Sequence, residues 1–116
     1  MRESTLQRLN YRMMFAALVA LGFHLASHAF LGVAGYRDSV AYDSVIGRYE
    51  AWSTATVLVV LLVAASYHGL YGLRSVLLEM DSGPRWDRAV SIGVLALGAV
   101  MVGWGVRTLI LTSAGV

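Results

Sequence analysis

Residues Ala51–Leu73 read AWSTATVLVVLLVAASYHGLYGL, and they decide the fold because they carry no formal charge over a length that can cross a bilayer. A membrane-spanning helix needs about 20 mainly apolar residues, since each residue adds about 1.5 Å along the helix axis. The polar residues of this stretch are small hydroxyl residues, two tyrosines and one histidine. The stretch therefore predicts a membrane-spanning helix.

Two further apolar runs have the same character. Met13–Val33 is interrupted only by one serine and two histidines, and Ala89–Leu111 contains one charged residue, Arg107. The apolar fraction of 58% in 116 residues is above the usual composition of a soluble domain. We predict an all-α integral membrane protein made of one domain, residues 1–116. Its three membrane-spanning helices are expected at about residues 13–33, 51–73 and 89–111.

The basic residues predict how the helices are oriented in the membrane. Of nine arginines, six precede the first helix or lie between the second and third, and two lie between the first and second. Because cytoplasmic loops are enriched in basic residues, the N-terminus and the second loop are expected in the cytoplasm. The net charge of +2 follows from this topology and is no reason to expect binding to nucleic acid. The arginines expected on the cytoplasmic side are Arg2, Arg8, Arg12, Arg74, Arg85 and Arg88.

The segments between the helices carry their own signals. In the first loop, the spacing of Tyr36, Val40, Tyr42, Val45 and Ile46 favours a short amphipathic segment on the outer surface. In the second loop, Gly83-Pro84 indicates the end of one helix and a turn. Glycines in the third helix permit close packing against a neighbour. Because three helices bury little of their own surface, we expect the chain to dock against another protein.

All three histidines lie within the predicted membrane spans. The chain has no cysteine, so disulfides, thiolate clusters and c-type haem attachment are excluded. An ionisable residue inside a membrane is costly and usually faces a partner, a bundle interior or a cofactor. His24 and His28 are one helical turn apart, and His68 lies towards the cytoplasmic end of the second helix. A neutral imidazole bonded to a neighbouring helix is the structural alternative for each, whereas three together favour metal ligands.

The residues that follow His68 indicate that the group it would bind is haem. Gly72 comes four residues later on the same helix face, and a position without a side chain leaves room for a flat ring. Arg74 comes at the membrane edge, where a guanidinium can pair with a haem propionate. An imidazole, a clear slot and a cation facing water are what b-type haem requires of one helix. Close helix packing for Gly72 and an ordinary topology charge for Arg74 are the alternatives.

The segment His68–Asp81, HGLYGLRSVLLEMD, resembles the H-x-x-x-G-x-R…D signature of the small membrane-anchor subunits of succinate:quinone oxidoreductase, in particular the short three-helix anchors of prokaryotes. The sequences ALGFH in the first helix and YRD in the first loop extend the similarity along the chain. The resemblance implies that His68 is an axial ligand of haem b and that Arg74 contacts a propionate. It also implies a second anchor subunit that supplies the opposite ligand, together with an iron–sulfur subunit and a flavoprotein.

A second, outer haem ligated from the first helix occurs in some members of that family. In this chain the motif ALGFH favours His24 as its ligand. Depth in the membrane favours His28, because His28 lies further towards the outer surface and an outer haem must be well separated from His68. His24 is preferred on the motif. The other histidine is then expected to pack or to contact a propionate.

One part of the sequence departs from the family pattern. Members often carry Asp-Tyr after this helix, and the tyrosine helps to hold the quinone head group, but the corresponding positions here are Glu79 and Met80. A thioether cannot donate a hydrogen bond to a quinone carbonyl. Trp86 and Arg12, both expected at the inner interface, are alternative quinone contacts. Interfacial anchoring is the other interpretation of each.

The resemblance as a whole implies a membrane-anchor subunit of succinate dehydrogenase in the prokaryotic cytoplasmic membrane. Such a subunit holds haem b and contributes to quinone reduction on the cytoplasmic side, and it is catalytic only as part of the assembly. Two alternatives are a haem-free anchor of a fumarate reductase-type complex and a non-redox three-helix membrane scaffold.

Overall fold

The computed structural model describes residues 3–30, 41–49 and 52–114, and these residues are almost entirely helical. Among these residues, three helices each contain a segment that is long and apolar enough to span a membrane. The prediction of an all-α, multi-pass membrane protein with three spanning helices is confirmed. The helices are α1 (Glu3–Phe30), α2 (Tyr42–Tyr49), α3 (Trp52–Met80) and α4 (Pro84–Ser113).

Each long helix continues beyond its predicted membrane span. The arginine-rich lead-in is the first part of α1, which has 28 residues, and α3 continues past residue 73 to Met80. α4 contains the whole of the predicted third span. Residues 31–33 and residue 51, at the edges of the first two predicted spans, lie outside the described residues. A helix of this length measures about 42–45 Å, so its ends extend beyond a hydrocarbon core of about 30 Å.

α3 is the central helix and packs extensively against both α1 and α4. It runs antiparallel to α1, since Tyr71 of α3 contacts Glu3 whereas the earlier Tyr67 contacts the later Leu6. Few of the described side chains are buried, and those few are small or of moderate size, as expected where helices approach closely in a membrane. These buried residues are Ala20, Ala64, Ser66 and Val90.

α2 lies in the first connection, where the spacing of the apolar residues predicts an amphipathic segment. It is a helix of 8 residues that contacts α3 and α4. Val45 and Ile46 are half-buried, whereas Tyr42 is exposed; Tyr36 and Val40 lie outside the described residues. Trp52, at the start of α3, is exposed as well. Exposed aromatic rings at this end of the bundle suit the boundary between lipid and water.

The turn between α3 and α4 is built by three residues. Gly83 has φ 138° and ψ 152°, a conformation that is essentially restricted to glycine. Pro84 is the first residue of α4, where its fixed φ suits the helix and its missing N–H has no intrahelical role. The indole N–H of Trp86 donates to the carbonyl of Leu77 at 2.8 Å. That bond satisfies one of the last carbonyls of α3, which lack partners within the helix.

Four hydroxyl groups of α3 and α4 are satisfied within their own helix. Thr56, Ser75, Thr108 and Thr112 each donate to the carbonyl four residues earlier, at 2.8–2.9 Å. This pattern removes the need for water or a second helix as a partner. These hydroxyls are therefore compatible with a lipid environment.

Two glycines of α4 allow it to pack closely against α3. A Cβ atom added at Gly98 would lie 2.8 Å from Cδ1 of Leu70, and one added at Gly105 would lie 2.5 Å from Cδ2 of Leu62. Gly103 is on another side of α4, where an added Cβ would meet nothing within 4 Å. The close packing predicted for this helix is therefore present, at two of its glycines.

We expect Gly105→Val to destabilise the chain and Gly103→Val to have little effect. The first substitution forces Leu62 out of its contact, and overpacking of this kind costs about 1–3 kcal/mol. The second places the same side chain on an open surface of the same helix. The free energy of unfolding in detergent, followed by circular dichroism, measures both. Equal destabilisation by the two variants would show that the α3–α4 contact at Gly105 is wrongly described.

Candidate functional site

His68 lies on α3 with an exposed side chain, and its ring is hydrogen-bonded to α1. Its Nδ1 atom is 3.0 Å from Oδ1 of Asn10. With the amide oxygen of Asn10 facing the ring, Nδ1 carries the hydrogen, since an amide oxygen only accepts hydrogen bonds; with the amide turned over, its NH2 would donate to a bare Nδ1. With the hydrogen on Nδ1, the lone pair of a neutral imidazole is on Nε2, which is the nitrogen that can bind a metal ion.

Mostly small, exposed residues lie to one side of His68 on its own helix. Each residue turns a helix by about 100°, and the five residues named below, His68 included, therefore lie within a sector of about 100° on one side of α3. A Cβ atom added at Gly69 or Gly72 would have no neighbour within 4 Å. The space next to the imidazole is therefore open in this chain. We call this surface the His68 face; it consists of Ala65, His68, Gly69, Gly72 and Val76, all of them exposed.

Arg74 is directed to a different side of α3. It follows His68 by six residues, which corresponds to about 240° around a helix. Its Nη1 lies 3.2 and 3.3 Å from the two carboxylate oxygens of Glu3, and its Nε donates to Oγ of Ser91 at 3.2 Å. Arg74 thus joins α1, α3 and α4. The structure brings His68 and Gly72 together on one face and places Arg74 elsewhere.

Polar contacts set the register between α1 and α3 at the end of the bundle that contains Glu3. The hydroxyl of Tyr67 donates to the carbonyl of Leu6 at 3.1 Å, and the hydroxyl of Tyr71 donates to Oε1 of Glu3 at 3.2 Å. The two tyrosine rings stack with their centroids 6.3 Å apart. Hydrogen bonds between membrane helices favour one alignment over others because an unpaired polar group is costly there. These contacts determine which residue of α1 faces the imidazole of His68.

The histidines of α1 lie far from His68 along the bundle. Asn10 is level with His68 and precedes His24 by 14 residues, which places His24 about 21 Å further along the helix axis. His24 is half-buried. The backbone of His28 belongs to α1, and its side chain lies outside the described residues. A separation of about 20 Å puts His24 outside any site built around His68.

The two residues predicted as quinone contacts occupy separate places. Trp86 is half-buried, and its indole N–H is used by the carbonyl of Leu77 at the end of α3. Arg12 is exposed on α1. It follows Asn10 by two residues, which turns it about 200° away from the side that faces α3. The structure does not bring these two residues to one site.

The surroundings of His68 can be compared with what a haem iron requires of one helix. Within residues 3–30, 41–49 and 52–114, no group of three or more histidine and carboxylate side chains has the arrangement of a metal-binding cluster. A haem iron does not need such a cluster, because the porphyrin supplies most of its ligands and a helix needs to provide only one imidazole. His68 offers an exposed ring whose Nδ1 is hydrogen-bonded, next to glycines that leave space for a planar group.

No protein-family model matches the chain, and no curated protein or solved structure matches it either. The structure shows a helical, multi-pass membrane protein with an imidazole on an open helix face. A functional assignment therefore depends on the chemistry of the His68 face and on the resemblance carried by His68–Asp81.

Asn10 and Glu3 are the parts of the site that the sequence does not predict. Both precede the first predicted span and belong to a segment whose arginines suggest only interfacial anchoring. The sequence feature that could have pointed to them is their chemistry: an amide and a carboxylate lie in a segment that runs directly into a membrane helix, where polar groups need partners. Their partners, His68 and Arg74, follow only from the pairing of α1 with α3.

Proposed function

We propose that this chain is a membrane-anchor subunit of a prokaryotic succinate:quinone oxidoreductase and that it ligates haem b through His68. The observation that carries the proposal is the environment of His68. Its Nδ1 is 3.0 Å from an oxygen of Asn10, and its face is open at Gly69 and Gly72. The hydrogen bond to Asn10 alone would also fit a histidine that only links two helices, so the open surface at Gly69 and Gly72 is the observation that favours a ligand. The signature in His68–Asp81 supports the choice of family.

Each residue around His68 has a task in this proposal. His68 offers the lone pair of Nε2 to the haem iron, Asn10 holds the ring through Nδ1, and Gly72 leaves room for the porphyrin. When bound, haem b supplies a centre that accepts and returns one electron. The protein contributes the position of the ring and the electrostatic environment that tunes its potential.

The proposed partner at the His68 face is a second anchor subunit that supplies the opposite axial ligand. Most of the surface of α1, α3 and α4 is exposed in the chain alone. The iron–sulfur subunit and the flavoprotein are proposed to bind at the end of the bundle that contains Glu3 and the α3–α4 turn.

The proposed orientation places that same end in the cytoplasm, because most of the arginines of the chain are concentrated there. The quinone then reacts on the cytoplasmic side, and Trp86 and Arg12 are the candidate contacts from this chain. The resemblance pairs Arg74 with a haem propionate, and this contact would require the guanidinium to leave both Glu3 and Ser91 and turn towards the His68 face. His24, or His28 in its place, is the candidate ligand of a second haem.

Purification of the complex through an affinity tag on this chain tests the proposal. We expect a flavoprotein and an iron–sulfur protein to co-purify and a reduced-minus-oxidised spectrum to show the α-band of haem b with two histidine ligands. A flavoprotein without haem would identify the chain as a haem-free anchor of the fumarate reductase type. The absence of both would identify a non-redox membrane scaffold, and the proposed family would be abandoned.

A further inference from the structure

Asn10 is the residue of α1 that contacts the proposed haem ligand. We propose that Asn10 is a positioning residue that holds His68 in the tautomer with its hydrogen on Nδ1 and its lone pair on Nε2. The inference rests on the proposed function, in which Nε2 binds the haem iron. Its first consequence, the position of the hydrogen on the His68 ring, can be measured in the chain before any haem is bound.

The contact between the two side chains has the geometry that this role requires. The distance of 3.0 Å between Nδ1 and Oδ1 is typical of an N–H···O hydrogen bond. Asn10 is half-buried on the side of α1 that faces α3, where an amide without a partner is costly. The two groups therefore satisfy each other across the interface between the helices.

The choice of tautomer follows from the acceptor. A free neutral histidine side chain prefers to carry its hydrogen on Nε2, which would block that nitrogen as a ligand. An amide oxygen next to Nδ1 reverses this preference, because only an Nδ1–H can donate to it. Histidines that bind metals commonly donate their other ring N–H to such an oxygen, which fixes the ring and increases the basicity of the ligating nitrogen.

Gln7 provides a matched control for this role. It belongs to the same helix, carries the same amide group and is exposed three residues before Asn10. Gln7 lies about 60° from Asn10 around α1, but Gln7 is exposed whereas Asn10 is half-buried, and the described hydrogen bond of His68 is with Asn10. Replacing either amide with leucine removes the same chemical group, but only Asn10→Leu removes the acceptor of His68.

The first experiment measures the tautomer of His68 without haem. The full-length chain is labelled with ¹⁵N-histidine and reconstituted in lipid nanodiscs, and the His68 signals are assigned by their loss in His68→Ala. We expect the hydrogen on Nδ1 in the unmodified chain, in Gln7→Leu and in Asn10→Asp, which keeps an acceptor oxygen. In Asn10→Leu it moves to Nε2. A hydrogen on Nε2 in the unmodified chain, or an unchanged tautomer in Asn10→Leu, overturns the inference.

The second experiment measures haem in the assembled complex. Loss of a residue that supports a metal ligand typically lowers affinity by about 10- to 100-fold, and we expect a loss of this size for haem in Asn10→Leu. We also expect a higher midpoint potential in Asn10→Leu and a lower one in Asn10→Asp, because the imidazole becomes a weaker or a stronger donor. Gln7→Leu leaves both properties unchanged.

The outcomes separate this inference from the proposed function. If the unmodified complex holds no haem, or keeps it in His68→Ala, the proposed function fails. If His68 is required for haem but Asn10→Leu changes neither the affinity nor the midpoint potential, Asn10 has only a structural role and the inference fails by itself.

Discussion

In the purified complex, His68→Ala is expected to abolish the optical α-band of the haem b that is proposed to bind His68. The substitution removes the only ring on the His68 face, and alanine offers no atom that can coordinate iron. The chain itself should remain folded, because His68 is exposed and its one described hydrogen bond is to Asn10. Reduced-minus-oxidised spectra at equal complex concentration measure the effect.

Leu73→Ala is the matched control for this experiment. Leu73 is an exposed residue of the same helix at 42% relative accessibility, and its loss changes neither the imidazole nor the glycines beside it. We expect full haem content in that variant. If His68→Ala retains an unchanged α-band, the assignment of His68 as the ligand is wrong, whatever the family of the protein.

Gly72→Phe is expected to weaken haem binding without unfolding the chain. A Cβ atom at position 72 meets nothing within 4 Å, so the larger side chain has room in the chain alone. It would occupy the space next to His68 that the porphyrin needs. Overpacking costs about 1–3 kcal/mol, and each 1.4 kcal/mol corresponds to a tenfold change in affinity, so haem affinity should fall by about 10- to 100-fold.

Gly93→Phe controls for the introduction of an aromatic ring into a membrane helix. Gly93 lies on α4, where an added Cβ also meets nothing within 4 Å. It is about as far from the α3–α4 turn as Gly72 is, so both rings enter the membrane at a similar depth. We expect equal thermal stability for the two variants and loss of haem only in Gly72→Phe. Normal haem content in Gly72→Phe would mean that the porphyrin does not lie on the His68 face.

The sequence and the structure contribute different parts of the proposed site. His68 and Gly72 can be paired from the sequence alone, because residues four apart share a helix face wherever that helix lies. Arg74 cannot be assigned in the same way. Its sequence position suggests a cation near a haem, but in the structure its guanidinium is 3.2 Å from Glu3, a residue 71 positions away. Only the pairing of α1 with α3 brings that carboxylate to it.

The sequence by itself determined the three membrane helices and the turn at Gly83-Pro84. Length, lack of charge and the conformational preferences of glycine and proline are local properties that need no knowledge of other helices. The sequence also indicated that α4 would pack through glycines, but not which of them would be in contact.

The tertiary structure decided how each helix is rotated and aligned against its neighbours. It selected Asn10 as the partner of His68, and it placed Gly98 and Gly105 against α3 while Gly103 remained open. The physical reason is that membrane helices are apolar on all sides, so their hydrophobic pattern gives no preferred face. Rotation and register then depend on close packing and a few interhelical hydrogen bonds, which exist only once distant segments meet.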